Sequence, residues 1–266
     1  MSTFTKLGLL LRLLPHRPVE FCDRLATVLE KPWERIFTEP GQHNKLSPQE
    51  AIVLMEETLH ANLSDYLLEP SFKAIESHIT DGIDRMRGNQ PFAPSHSADL
   101  SLAAVCYVVT RALKPSVVLE TGVAYGVTSS FLLQGLEANQ NGNLWSIDLP
   151  PLVVEADQFV GALIPHHLRN RWHLCRGVSK RLLTTLLPRL GQVDLFVHDS
   201  LHFYRNMMLE FETVWPFIPP GGILLSDDVG DNRAFQEFFS RVNTSLVIVS
   251  QEKSKDSCFG IVVKGR

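Results

Sequence analysis

The stretch VDLFVHDSLHFYRNM, residues 193 to 207, ends an apolar run at His198-Asp199 and places a second histidine, His202, three residues beyond the aspartate. Such a run belongs in a protein interior, so polar groups at its end mark a place where the interior opens onto something polar. The D-x-x-H spacing sets a carboxylate beside a proton acceptor, the pair that general-base chemistry uses. Other short apolar runs end the same way: SVVLE in Glu120, NLWSID in Asp148 and GGILLSDD in Asp227-Asp228. Glu120, Gly122 and Gly126 form E-x-G-x-x-x-G, whose glycines let a backbone turn tightly and approach a ligand at a helix N-terminus. By itself this pattern is also that of a plain strand-to-helix turn. A dinucleotide pyrophosphate would call for G-x-G-x-x-G and would be repelled by Glu120, whereas a ligand with an ammonium or sulfonium centre suits a carboxylate there. Asp148 is placed to accept the two hydroxyls of a ribose.

The elements around these residues explain the repetition. From Lys114 onward SVVLETG, NLWSIDL, RWHLCRG, VDLFVHD, GGILLSDD and SLVIVS read as strands, while GVTSSFLLQGLEA, KRLLTTLLPRL and RNMMLEFETVW have helical periodicity. The alternation predicts βαβ units and a parallel sheet covered on both faces. SCFGIVVKG follows the preceding strand after only QEKSKD, too short for a crossover helix, so the last strand is expected to be antiparallel. In such a sheet ligands bind beyond the carboxyl ends of the strands, which gathers Glu120, Asp148, Gly177, Asp199, Asp227 and Asp228 along one edge.

The first 110 residues read as helical. LSPQEAIVLMEETLHANLSDYLL (46 to 68) opens with the S-x-x-E of a capping box, and SFKAIESHITDGIDRMR (71 to 87) repeats Phe72, Ile75, Ile79, Ile83 and Met86 at helical spacing. Glu56 and His60 have the i,i+4 spacing of two metal ligands, but such a pair is ordinary on a solvated helix face. LGLLLRLL (7 to 14) is interrupted by Arg12, lacks a small-residue cleavage site and falls short of the roughly 20 apolar residues of a span. It reads as an amphipathic helix that docks on the body, on another subunit or on a membrane surface.

A formal charge of -4 removes the electrostatic argument for a nucleic-acid partner. Cys22, Cys106, Cys175 and Cys258 are scattered with no CxxC spacing, which predicts reduced thiols and a cytoplasmic setting.

VVLETGVAYGVTS, LWSIDLP, CRGVSKRL, VDLFVHDSLHFY and PPGGILLSDDV, in this order, resemble the class I S-adenosylmethionine-dependent methyltransferases, over roughly residues 114 to 264. The resemblance implies a doubly wound, mostly parallel seven-stranded α/β sheet of Rossmann-like type with an antiparallel last strand. Residues 1–110 would then be a helical lid, acceptor-binding region or oligomer contact, and 111–266 the catalytic domain. Glu120 would hold the methionine amino end, Gly122 and Gly126 would shape the loop, Tyr125 and Ser129 would join them in binding the cofactor, Asp148 would bind the ribose, and Gly177, Val178 and Ser179 would flank the adenine. Within that fold Asp199 and Asp227-Asp228 end adjacent strands, so three carboxylates converge; their mutual repulsion calls for a hard divalent cation, Mg2+ first, Mn2+ or Ca2+ next. The spacing is similar to that of the metal-dependent O-methyltransferases acting on macrolide sugars and catechols, although the catechol enzymes have Asp-Asn where Asp227-Asp228 stands. By that likeness Asp199 is a ligand and His202 the base, with Asp231 a weaker ligand.

The expected activity is therefore a metal-assisted O-methyl transfer to a small-molecule hydroxyl, on a sugar or glycosylated natural product first and a phenol second. A homo-oligomer is compatible with the helical region. Two alternatives stay open: a nicotinamide-dependent oxidoreductase on a similar sheet, and a silent cofactor-binding module. For His198 the reading is a residue tucked beneath the site, Tyr204 either lines the acceptor pocket or packs, and Arg205 is solvated or structural. Phe92, His96 and Tyr125 are candidates to face the acceptor.

Overall fold

The computed structural model describes residues 3–34, 39–86, 100–153, 155–253 and 257–266. Helices α1 (Thr3–Leu13) and α2 (Pro18–Glu34) precede strand β1 (Lys45–Leu46), and helices α3 (Pro48–Leu59), α4 (Leu63–Tyr66), α5 (Pro70–Met86) and α6 (Leu100–Leu113) follow. Strands and helices then alternate: β2 (Val117–Thr121), α7 (Val127–Asn139), β3 (Asn143–Asp148), α8 (Ala156–Phe159), β4 (Trp172–Arg176), α9 (Ser179–Leu190), β5 (Leu195–His198), α10 (Tyr204–Val214), β6 (Ile223–Ser226) and α11 (Ala234–Phe239). Strands β7 (Thr244–Gln251) and β8 (Cys258–Lys264) close the chain.

The eight strands among the described residues lie in one sheet of order β1-β7-β8-β6-β5-β2-β3-β4. Strands β2 to β6 pair in parallel, and β8 runs antiparallel to both β6 and β7. This is the Rossmann-like architecture expected, with one addition. The two-residue edge strand β1 pairs with β7 and makes the expected seven strands eight; two residues are too few to show a period-two pattern. The chain winds outward from β2 to β4 and returns to β5 on the other side of β2, so the switch in strand order falls between β2 and β5. That is where an open α/β sheet holds its ligand.

Alternation along the strands builds two apolar layers. Val118, Leu144, Leu195 and Val197 face helices α5, α6 and α7, whereas Leu119, Ile147, Phe196 and Leu224 face α9, α10 and α11. Each such side chain is buried, and burial of one contributes about 1.5–3 kcal/mol. Helix α6 runs through residue 110, and Leu102, Cys106 and Val109 share a cluster with the sheet's Val118 and Leu144. The helical region and the sheet therefore have a common core.

The segment 46–68, expected as one helix, is two. Ser47 and Glu50 form the predicted capping box, but His60 ends α3 in a left-handed conformation with φ 51°. Glu56 Oε1 accepts a 2.8 Å hydrogen bond from the Ser64 amide at the start of α4, so it serves the turn. No helix among the described residues is long and apolar enough to cross a membrane. Leu11 and Leu14, near the end of α1, and Val28 and Leu29 of α2 are exposed. All four cysteines are free thiols.

Candidate active site

The loop from β2 to α7 is built on Gly122 and Gly126, with φ of 86° and 84°. A Cβ on Gly122 would stand 1.8 Å from the Asp199 carbonyl oxygen, so only glycine allows this loop to lie against the loop after β5. Gly126 is the N-cap of α7, with Gly161 and Ile164 against it. Tyr125 is buried in the same loop, and Phe92 and His96 lie outside the described residues.

Glu120 is fully buried at the end of β2. Its Oε2 accepts hydrogen bonds from Ser129 Oγ on α7 (2.7 Å) and Ser146 Oγ on β3 (2.8 Å), while Oε1 is buried with no hydrogen-bond partner. Burial, aided by the Asp148 charge, lifts its pKa to about 7 against the two serine hydrogen bonds. At the end of β3, the Asp148 carboxylate takes backbone hydrogen bonds from Val123 and Leu149, and its Oδ2 is also buried without a partner. Burial raises it to about 6. Two carboxylate oxygens on adjacent strands thus await donors, which the ammonium of a methionine moiety and the hydroxyls of a ribose would supply. Beyond β4, Gly177 donates its amide to Asp148 O (2.9 Å), Val178 is the N-cap of α9 and Ser179 its first residue. These three sit beside Asp148 at the sheet edge, where an adenine would extend.

Helix α2 covers this edge. Arg24 donates to Pro150 O (2.7 Å) and to Glu20 Oε1 (2.9 Å), and Arg176, the last residue of β4, donates to Glu20 Oε2 (2.6 Å). Arg181 of α9 pairs with Asp23. Burial of Glu20 opposes its charge, but the two arginines prevail and hold its pKa down at about 2.

At the ends of β5 and β6 the structure brings Asp199, His202 and Asp227 together, with one donor atom from each lying within 4.8 Å of the others. The loops are knit to neighbouring strands: the Asp199 amide donates to Thr121 O (2.8 Å) and the Asp227 amide to His198 O (2.9 Å). Asp227 is buried and its Oδ1 has no hydrogen-bond partner. Asp228 is not part of this trio. Its φ is 49°, its Oδ2 lies 2.7 Å from His202 Nδ1, its Oδ1 accepts from Ser257 Oγ, and it clusters with Asp227 and the buried Glu252. Burial disfavours charge on His202, yet the hydrogen bond to Asp228 and the charges of Asp227, Asp228 and Asp231 outweigh it and raise the ring's pKa. Asp231 is itself raised, by burial and then by Asp228. An unpartnered buried carboxylate oxygen among further carboxylates and an imidazole fits a hard divalent cation, which takes oxygen ligands and tolerates one nitrogen.

Beneath these groups lies a buried pair. His198 Nδ1 is 2.7 Å from Glu210 Oε2, and both side chains are fully buried. Burial works against the Glu210 charge, but His198 and Thr121 stabilise it and bring its pKa down to about 2. Glu210 and Glu252 are absent from the sequence-predicted site. The signal for Glu210 was a carboxylate among Met207, Met208, Phe211 and Val214 on the apolar face of α10. Tyr204 packs at the start of α10 and donates to Glu237 Oε2 (2.7 Å), and Arg205 follows it.

Residues 119–229 match the family described as a methyltransferase domain, which spans the β2 loop, Asp148, Asp199 and Asp227-Asp228. The chain thus carries a match to a methyltransferase domain across the central parallel strands of a Rossmann-like sheet. Its fold is similar to an O-methyltransferase from Bacillus cereus in complex with S-adenosylhomocysteine, at 15% identity and TM-score 0.55, covering 76% of this chain and 95% of that one. It is also similar to the O-methyltransferase TomG from Streptomyces achromogenes, involved in tomaymycin synthesis and solved with S-adenosylmethionine, at 13% identity and TM-score 0.56, covering 74% and 91%. The S-adenosylhomocysteine-bound Podospora anserina methyltransferase PaMTH1 aligns at 15% identity and TM-score 0.55, covering 73% and 88%. No curated protein sequence matches the chain.

Proposed function

We propose that the chain is a divalent-metal-assisted O-methyltransferase whose acceptor is a hydroxyl of a small molecule, on a sugar or glycosylated natural product first and a phenol or catechol second. The observation that carries this reading is the contact of Gly122 with the Asp199 carbonyl, which sets the cofactor loop directly against the acidic cluster. Donor and acceptor sites are thereby neighbours, as in-line transfer requires.

Glu120 and Asp148 bind and orient the two ends of the cofactor's polar frame, and Gly122 keeps the loop low enough for close approach. Bound S-adenosylmethionine supplies a methyl group on a sulfonium. Asp199, His202 and Asp227 are the residues gathered to hold a cation, with Asp228 and Glu252 flanking Asp227. A bound divalent cation supplies Lewis acidity that lowers the pKa of an oxygen acid. His202, its Nδ1 engaged by Asp228, has Nε2 to take a proton from the acceptor hydroxyl. Because His202 also falls within the cation cluster, its service as base leaves the cation to Asp199 and Asp227. We assign to α2 the role of a cover for the cofactor edge, supported by its ion pairs with Arg176 and Arg181.

Calorimetric titration with S-adenosylhomocysteine, with and without Mg2+, for the parent and Asp199→Ala tests the reading. The expected result is cofactor binding in both proteins and a Mg2+ heat that only the parent shows. Cofactor binding with no Mg2+ heat in the parent would remove the metal from the mechanism.

A further inference from the structure

Four donors from four parts of the chain meet on one buried carboxylate. Glu210 Oε2 accepts from Thr121 Oγ1 at the end of β2 and lies 2.7 Å from His198 Nδ1 at the end of β5. Glu210 Oε1 accepts from Ser200 Oγ (2.8 Å) and Asn206 Nδ2 (3.0 Å). Asn206 Nδ2 also reaches Ser200 Oγ (3.1 Å) and Leu201 O (3.0 Å). The Glu210 network thus touches His198, Ser200 and Leu201, the residues between and beside Asp199 and His202. One further brace comes from Asn232, whose Nδ2 donates to His202 O (3.1 Å).

We infer that Glu210 is a positioning residue: it fixes the backbone from His198 to His202 so that Asp199 and His202 stay in register with Asp227. The inference rests on the function proposed above. Glu210 acts through the loop, because its oxygens are both occupied by protein donors and it is sealed from solvent. A loop residue such as Asp199, partly exposed and followed by the exposed Leu201, would otherwise sample many conformations. A carboxylate is suited to the task because an ionised one accepts several hydrogen bonds at once and donates none. Glutamine in its place keeps the shape but turns an NH2 toward His198 or Ser200, so at least one of the four contacts must break.

The test compares the parent with Glu210→Gln and with the Ser200→Ala/Asn206→Ala double variant. Mn2+ affinity is measured by electron paramagnetic resonance, S-adenosylhomocysteine affinity by calorimetry, and amide exchange over residues 198–206 by mass spectrometry. The expected result is Mn2+ affinity weakened about 10- to 100-fold in Glu210→Gln, the usual effect of removing a group that orients a ligand. Cofactor affinity should change less than threefold, and exchange should speed in 198–206 but not in the β2–α7 loop. Parent-like Mn2+ affinity and exchange in a folded Glu210→Gln would overturn the inference. If that variant does not fold, the double variant decides on the same readouts: weaker Mn2+ binding and faster local exchange support positioning, and unchanged values refute it. If the parent itself binds no Mn2+, the metal reading fails separately, and local exchange alone decides for Glu210.

Discussion

His202 Nδ1 lies 2.7 Å from Asp228 Oδ2, while its Nε2 stands 3.8 Å from Asp199 Oδ1. The ring is therefore anchored on one side and faces the cluster on the other. Without a cation, the surrounding acids hold its pKa above the ordinary value despite its burial. A raised histidine contributes stability below its unfolded pKa, and this is lost as pH rises through the folded one. Asp228→Asn should bring the His202 titration down, as read by NMR of the ring protons. Mg2+ added to the parent should lower it too, since a cation among the same carboxylates opposes the imidazolium. An unchanged titration in both experiments would show that the ring and the acids are not coupled as the geometry requires.

Glu120 gives a second pH signature. Its carboxyl, lifted to about 7 by burial, carries a proton in the free protein where an unfolded chain would not. Between the ordinary glutamate range and about 7 the native state binds more protons, so stability from this group falls as pH rises through that window. An ammonium placed at Oε1 reverses the preference and favours the ionised form. Affinity for S-adenosylhomocysteine should therefore rise with pH by up to about tenfold per unit below the pKa, and level off above it. In Glu120→Gln the curve should be weaker throughout, and its slope should shrink to the part due to Asp148. Calorimetry between about pH 5.5 and 7.5, where the ligand's amino group stays protonated, makes the measurement, since one pH unit already spans the expected tenfold change. A flat curve for the parent would place the amino end elsewhere.

The parallel strands were readable because most of their apolar runs stop at a glycine or carboxylate, and parallel pairing brings those ends to one sheet edge. For the same reason Glu120, Asp148, Asp199 and Asp227, at or just beyond the strand ends, could be placed from the sequence. Glu210 stood among the apolar positions of α10, but that spacing names no partner for it, and only the fold turns it under His198. The split at His60 depended on Glu56 capping the next helix, a contact made eight residues along the chain. The Glu20–Arg176 pair joins residues 156 apart, and no local pattern announces such a partner. Asp228 shows a different limit. Its place beside Asp227 in sequence suggested a shared role, whereas its left-handed backbone turns it toward His202 and Ser257.

Gly122→Ala tests how closely the two loops must pack. The added methyl would meet the Asp199 carbonyl at 1.8 Å and would also sit on a backbone with φ 86°. The backbone conformation alone costs a non-glycine residue about 1–2 kcal/mol, and relief of the contact must move Asp199 or the loop. The variant should melt lower by several degrees, about 2–4 °C per kcal/mol lost for a chain of this size. It should also lose affinity for both S-adenosylhomocysteine and Mn2+, since the proposed function gives the displaced loops one site each. Loss of only one of the two would mean that the sites are independent of this contact.

Glu20 ties α2 to the sheet edge. Its carboxylate, little exposed, bridges Arg24 of its own helix and Arg176 of β4, and Arg24 also holds Pro150 O two residues beyond Asp148. In Glu20→Gln the two guanidinium groups remain near each other with no charge between them, and α2 should lift from the sheet edge. Trypsin should then cut after Arg24 faster than in the parent, and S-adenosylhomocysteine should dissociate faster, because in the proposed function α2 covers the ribose and adenine side. Acid should have the same effect on the parent. A carboxyl held at about 2 contributes its stabilisation above the ordinary glutamate pKa and loses it as pH falls through about 2. If cleavage quickens while dissociation of the cofactor product stays at the parent rate, α2 is bound to the edge without governing access to it, and the role of cover falls.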